Sequence, residues 1–373
     1  VKNKTNVYLL IILLVTAVAV VGCGSESTES DDKIPTIYVS YIFVDHQAPL
    51  FVALEKGDYF AEYGTYLEPV IEGEKYNLIS NDKVIADIEL VVSKSGSESA
   101  TMFAQGNLDI GLFSTPAALS SIDNGTGIKI LGPVHTEGLG LVFPVDNPLD
   151  GWDEFLEYVA EQDEPVSIGY HSPTSAPKIV FEGALHRAGI DYTSNPNNID
   201  ADILMVDLKA TNNLSPALTS GQVDGWVGPS PHPLVAETNN TGRQVMELKD
   251  LPPEGHWCDF PCCIVAASDE LLENYRDIAV AFMNLMTKSS EYANDNREST
   301  ANINAKWLGI PAEAAALSEV HYTTNPTSNW VNGVDIYLEV LNEMGNFTGQ
   351  LKEKSVDQVE DIIFDFSIVN DVL

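Results

Sequence analysis

Serine, threonine and proline recur at four points where an apolar run gives way to a helix-like segment. These are Ser97 with Glu98, Ser114 with Thr115, Ser172 with Thr174 and Ser175, and Pro229 with Ser230. A helix start presents unpaired backbone N–H groups and a positive dipole end, so several converging starts would hold a carboxylate, a sulfonate or a similar acceptor. Read alone, each Ser or Thr is equally an ordinary N-cap; their common position after apolar runs makes them candidates as a set. His46 and Gln47 follow the first such run and add an imidazole and an amide. Trp226 offers a ring face to a planar ligand. Glu98 suits a ligand amine or, more simply, the acidic first turn of a helix.

Cys258, Cys262 and Cys263 stand in the stretch Trp-Cys-Asp-Phe-Pro-Cys-Cys. Zinc usually takes four ligands, typically with a second Cys or His pair, and here only His256 and Asp259 are near enough in sequence to help. The expectation is therefore structural: a disulfide from Cys258 to one of the adjacent pair, one buried thiol, no metal and no cofactor. Neither Gly-x-Ser-x-Gly nor His-Glu-x-x-His occurs, which leaves a hydrolase without its signatures.

The elements that would position these groups are foreshadowed by a repeated phrase. Gly106-Asn107-Leu108-Asp109 is followed by Pro116, and Gly221-Gln222-Val223-Asp224 by Pro231 at the same offset. Each copy reads as helix end, strand, helix start. Alternation and β-branched residues predict strands at Ile34–Val44, Tyr66–Ile71, Lys83–Ser93, Ile128–Leu131, Val166–Tyr170, Ile203–Leu208 and Cys262–Ala267. Helices are predicted at Ala48–Lys56, Ser97–Gln105, Pro116–Asp123 and Pro177–Arg187, with a helical tail at Asp269–Lys288, Arg297–Leu308, Ala312–Ser318 and Val334–Met344. Asn81-Asp82 marks the turn of an inserted hairpin. About 340 residues are more than one core usually serves, so two domains are expected. Leu141–Val145 and Cys262–Ala267 read as crossings between them, giving lobe I as 34–140 with 263–373 and lobe II as 141–262. In open α/β sheets ligands bind at the carboxyl ends of strands, so two facing lobes would enclose a cleft.

Residues 1–22 read as an export leader: Lys2 and Lys4, then an unbroken run from Val7 to Val21, too short for a comfortable membrane span. Val20-Val21-Gly22-Cys23 resembles a lipobox, in which Cys23 is lipidated; residues 23–33 would then be a polar tether. Lysine and arginine number 19 against 55 acidic residues, a formal net charge of −36, which argues against a nucleic-acid partner. Spread along the chain, this excess suggests an acidic, halophile-like surface. Asn124, Asn213, Asn239 and Asn346 open Asn-x-Ser/Thr sequons, compatible with glycosylation outside the cell.

With the crossings placed, several phrases resemble the substrate-binding proteins of nitrate, sulfonate, taurine and thiamine-pyrimidine ABC importers. They are His46-Gln47-Ala48-Pro49-Leu50-Phe51, Gly57-Asp58-Tyr59-Phe60, the paired Gly-x-x-Asp phrases, Ile168-Gly169-Tyr170 with Ser172 to Ser175, and Ala267-Ser268-Asp269-Glu270-Leu271-Leu272. The resemblance implies an α/β, two-lobed periplasmic-binding-protein-like fold of type II. It also implies a hinged, monomeric lipoprotein that delivers a small solute to a permease and its ATPase at the outer face of the cell membrane, with no chemistry of its own. A pyrimidine synthase of the same fold carries a Cys-rich run in the corresponding place and is the rival. It needs a lysine for pyridoxal phosphate after the first Gly-x-x-Asp strand, where this chain has Phe113-Ser114-Thr115-Pro116-Ala117-Ala118. A solute-sensing lipoprotein is the third possibility.

Overall fold

Two β-sheets organise the chain, and their central strands, such as Ile110–Ser114 and Gly225–Pro229, are buried along their whole length. The computed structural model describes residues 33–371; the leader, Cys23 and all of the tether except Lys33 lie outside the described residues. In chain order the strands are β1 (Thr36–Ile42), β2 (Thr65–Ile71), β3 (Lys75–Ser80), β4 (Lys83–Ser93), β5 (Ile110–Ser114), β6 (Ile128–Pro133), β7 (His135–Thr136) and β8 (Leu139–Phe143). They continue as β9 (Val166–Tyr170), β10 (Tyr192–Thr193), β11 (Ile203–Asp207), β12 (Gly225–Pro229), β13 (Arg243–Glu247), β14 (Cys263–Ser268) and β15 (His321–Tyr322). The first sheet has the order β2-β3-β4-β1-β5-β14-β6, and the second β10-β11-β9-β12-β8-β13. β1 runs parallel to β4 and β5, and β9 parallel to β11 and β12. The sheets are thus mixed α/β, with ligand-competent strand ends in each.

The repeated phrase does the same work in both. Asp109 Oδ2 accepts from Tyr38 N at 2.8 Å, and Asp224 Oδ2 accepts from Ser167 N at 2.8 Å. Each carboxylate ties the start of its own strand, β5 or β12, to a parallel neighbour. Gly106 (φ 69°) and Gly221 (φ 71°) adopt the left-handed conformation that ends the preceding helices, which glycine reaches without steric cost.

The inserted hairpin is a three-stranded meander of β2, β3 and β4, turning at Asn81 (φ 50°) and Asp82 (φ 62°). The segments expected as crossings lie within the sheets instead, Leu141–Phe143 in β8 of the second and Cys263–Ala267 in β14 of the first. The chain leaves the first sheet after β6 and rejoins it at β14, and the two connecting segments lie side by side. Val134 N donates to Cys263 O at 3.0 Å, and Thr136 forms an antiparallel bridge with Pro261. β15, from the tail, pairs with β7.

The tail differs from its sequence pattern in several places: the helix expected over Val334–Met344 begins at Ser328, two unexpected helices follow at Val356–Ile363 and Ser367–Asn370, and the helix expected over Asp269–Lys288 is two helices, Asp269–Asn274 and Arg276–Asp295. Tyr275 separates them at φ −140° and ψ 43°, outside the helical region. Ser268 caps the first, its side chain accepting from Leu271 N. The second packs against Ala48–Glu55, placing Phe282 and Met283 in a core shared with Phe51 and Val39, all fully buried. Among the described residues, no helix is long and apolar enough to cross a membrane.

Candidate functional site

Where helix starts from the two sheets meet, hydroxyl groups bond to one another. Ser97 Oγ lies 2.8 Å from Ser172 Oγ and 2.8 Å from Thr174 Oγ1, and Ser114 Oγ donates to Thr174 O at 3.1 Å. Ser97 and Ser114 belong to the first-sheet side; Ser172 and Thr174 follow β9 of the second. Ser97 is free to reach across because it does not cap its own helix: Gly96–Ala104 is capped by Ser95, whose Oγ accepts from Glu98 N. Glu98 turns back to accept from Lys94 N at 2.5 Å, the helix-terminal role rather than a reach towards a ligand. Ser175 donates to Ser172 O at 2.8 Å, which holds the loop in shape.

A second focus lies on the paired connecting segments. His46, in the short turn after β1, meets His135 of β7 and the adjacent Cys262 and Cys263 at the start of β14. One ligand atom from each of the four lies within 4.8 Å of the others, and all four residues are buried. The imidazole orientations are set by carbonyls. His46 Nε2 donates to Gly138 O at 3.1 Å and His135 Nδ1 to Thr136 O at 3.2 Å, since a carbonyl can only accept. That leaves His46 Nδ1 as an acceptor, 3.6 Å from Cys262 Sγ and 3.8 Å from Cys263 Sγ. The cysteine pair is held by Thr115, whose N and Oγ1 both donate to Cys262 O, at 2.8 and 3.1 Å. Gly138 O also accepts from Ser230 N at 2.7 Å, and Ser230 Oγ donates to Asp45 Oδ2 at 2.7 Å, which brings the end of β12 onto the same floor.

The hydrogen bond from Cys262, with His135 and His46 adding in the same direction, holds the Cys263 thiol well below its usual range against the effect of burial. Burial, and then Cys263, push Cys262 well above it. Burial disfavours a charge on His46, but the Cys263 thiolate and Asp45 outweigh it and raise His46 overall. On this floor Cys263 is thus the thiol that ionises more readily and Cys262 the one that resists. Two further buried histidines lie on the second-sheet side: burial, then His232 and to a smaller degree His46, lower His171 to about 3, and burial, then His46, lower His232 to about 4.

Asp45 Oδ1, both amide atoms of Gln47, His135 Nε2, His171 Nδ1 and His232 Nε2 are buried with no hydrogen-bond partner in the protein. An unpaired buried polar atom costs about 1–3 kcal/mol, so these groups have bonding capacity that the protein itself does not use.

Of the residues singled out from sequence, Ser97, Ser114, Ser172, Thr174 and Ser175 come together in the hydroxyl seam, while His46, Gln47, Thr115 and Ser230 gather on the floor. Pro229 ends β12, directly before Ser230. Trp226 is fully buried in a satellite core with Val142, Leu214 and Leu218, and its Nε1 has no partner in the protein. The cysteine expectation is corrected. Cys258 is exposed and all three thiols are free, and His256 lies against Arg187 while Asp259 contacts Asn329. The histidines that meet Cys262 and Cys263 are distant in sequence, which is why local spacing did not reveal them. His135, His171 and His232 are isolated single residues, and only their folding onto strand ends shows their relation.

A model of the NMT1-like family matches residues 30–309. An uncharacterized protein of Methanocaldococcus jannaschii is 34% identical over 140 residues, 37% of this chain and 94% of that protein. The ligand-binding component of an ABC-type import system from Staphylococcus aureus, solved with zinc bound, superposes with a TM-score of 0.67 at 16% identity, covering 91% of this chain and 99% of that one. The nitrate-binding protein NrtA from Synechocystis gives 0.68 at 14% identity, with 91% and 88% covered. The alkanesulfonate-binding protein SsuA from Xanthomonas axonopodis, bound to MOPS, gives 0.64 at 12% identity, with 88% and 98% covered. At these identities the three structures share the periplasmic-binding-protein fold with this chain.

Proposed function

The chain belongs to the NMT1-like family, and we propose that it is the extracytoplasmic solute receptor of an ABC importer, anchored to the outer face of the membrane through a lipidated Cys23. Lobe I, residues 34–140 with 263–373, and lobe II, residues 141–262, close about the paired connecting segments onto a small solute and present it to a permease and its ATPase. The receptor acts as a monomer and carries out no reaction. One observation carries this reading: on elements of both sheets, Asp45 and Gln47 after β1, His171 after β9 and His232 after β12 keep buried polar atoms without a partner in the protein. Contacts made only when the halves meet are what couple binding to closure. The synthase alternative lacks its lysine, because Phe113–Ala118 passes directly from β5 into the helix Thr115–Asp123.

The test is a thermal-shift screen of the purified full chain against sulfonates, nitrate and other oxyanions, planar heterocycles and metal ions. A ligand at a hundred times its Kd stabilises the closed state by about 2.7 kcal/mol, so one class should raise the melting temperature while the others leave it alone. If no class raises it and the scattering radius never contracts, the receptor reading is wrong. Cys23→Ser should release the chain from the membrane fraction.

A further inference from the structure

We infer that His46, His135, Cys262 and Cys263 form a tetrahedral His2Cys2 site for one soft transition-metal ion of the Zn2+ class, on the floor between the two sheets. Zn–S bonds of about 2.3 Å and Zn–N bonds of about 2.0–2.1 Å place the S–S edge of a tetrahedron at about 3.8 Å and the S–N edges at about 3.6 Å. The protein holds Cys262 Sγ and Cys263 Sγ at 3.9 Å, and His46 Nδ1 at 3.6 and 3.8 Å from them. Three of the four donors therefore already stand at the corners. His135 supplies the fourth through Nε2, the atom its own bond to Thr136 O leaves free and for which the protein offers no partner. Only its edges, within the 4.8 Å limit of the cluster, must shorten for the ion to be held.

The surroundings are those of a metal site rather than a chance gathering. Each imidazole donates its remote N–H to a backbone carbonyl, which fixes the tautomer and aims the lone pair inward. Two sulfur and two nitrogen donors select zinc-like ions over magnesium and calcium, which require oxygen. Metal binding would displace the thiol protons of Cys262 and Cys263, leaving two thiolates and two neutral imidazoles around the ion. A recess of about 330 Å³ reaches the floor at Gly138 and Ser230 and is lined by Glu137, Glu237, Glu247 and Glu319 against one lysine, so its field favours an approaching cation. The site deepens the receptor reading by placing a metal ion, free or complexed, in the cleft; the coordination itself does not rest on that reading.

The experiment is a titration of the reduced, metal-free full chain with Co2+ and then Zn2+, followed by absorption, with zinc affinity measured by chelator competition. The inference expects one ion per chain, thiolate-to-cobalt absorption in the near ultraviolet with tetrahedral visible bands, and displacement of cobalt by zinc. Cys262→Ser/Cys263→Ser should abolish the thiolate band and weaken zinc binding by more than about 100-fold. His135→Ala should weaken it while leaving both thiolates to report, which keeps the test informative if the double variant unfolds. Bound zinc should also slow alkylation of Cys262 and Cys263 relative to exposed Cys258. Absence of the thiolate band in the folded, reduced protein, or zinc affinity unchanged in a folded Cys262→Ser/Cys263→Ser, overturns the site. A sulfonate, oxyanion or heterocycle that stabilises the metal-free protein would leave the receptor reading standing in that case. Conversely, an intact metal site in a chain that neither contracts nor is stabilised by any ligand would remove the receptor reading alone.

Discussion

The hydroxyl seam and the His/Cys floor are built by the same topology and have opposite polar accounts. In the seam, Ser97, Ser172 and Thr174 satisfy one another, and Ser114 and Ser175 find backbone carbonyls. On the floor, Asp45, Gln47, His135, His171 and His232 each keep at least one buried polar atom without a protein partner. A set of groups that is complete without a guest has no vacant donor or acceptor to offer one; an incomplete set has. Both lie at strand ends, so position in the fold does not distinguish them, whereas hydrogen-bond completion does.

The largest test of this contrast uses acid. His171 and His232 have folded-state values lowered to about 3 and about 4 by burial, below the value near 6.5 of an unfolded histidine. Below about pH 6.5 the unfolded chain takes up protons that the folded floor refuses, so their contribution to stability is lost as pH falls from about 6.5 towards 4. At pH 5 this is about 2 kcal/mol for each, and His135, also lowered by burial, adds in the same direction. His46 opposes it: its raised value contributes stability below about pH 6.5 that fades as pH rises through its folded value. The net expectation is a melting temperature that drops between pH 7 and pH 5, and a flatter profile in His171→Leu/His232→Leu. An unchanged slope in that variant would show that the floor is wetter and less incomplete than its geometry implies.

Gly138→Ala sharpens the comparison from the other side. Gly138 has φ +77°, and a Cβ there would stand 2.8 Å from His46 Nε2 and 2.8 Å from Val320 Cγ2. Left-handed strain of about 1–2 kcal/mol plus the displacement of His46 should lower the melting temperature and spoil the metal site together. The seam, which shares no atom with Gly138, should be untouched. A normal cobalt spectrum in Gly138→Ala would mean that the carbonyl does not aim the His46 lone pair.

Local patterning carried much of the fold. Lys83–Ser93 and Val166–Tyr170 are strands at the bounds their alternation predicts, and the two Gly-x-x-Asp phrases do equivalent work in the two sheets. The periodicity in Asp269–Lys288 was also legible, but not its interruption, since Tyr275 belongs to no residue class that breaks helices. At the site, the chemistry of Ser97 or Ser172 was visible because caps follow strands, while the choice between an internal hydrogen bond and ligand contact depended on which hydroxyl lay opposite. The metal donors were hidden for a simpler reason: Cys262 meets His46 across 216 residues of chain, and no spacing rule spans a topological crossing.

Ser97→Ala has the smallest expected effect and separates the two regions most cleanly. It removes the hydroxyl that lies 2.8 Å from both Ser172 Oγ and Thr174 Oγ1 and leaves those two side chains able to turn towards water when the halves part. The closed state should lose about 1 kcal/mol, the net contribution of a hydrogen bond, which is roughly a five-fold loss of apparent affinity for any ligand that requires closure. Because the four donors sit on β7, on β14 and the residue before it, and on the turn after β1, the cobalt spectrum should be unchanged. Isothermal titration of the wild type and Ser97→Ala with the stabilising ligand measures the difference. A loss beyond about 100-fold would mean that Ser97 touches the solute itself, and the seam would then have to be counted with the floor as part of the binding surface.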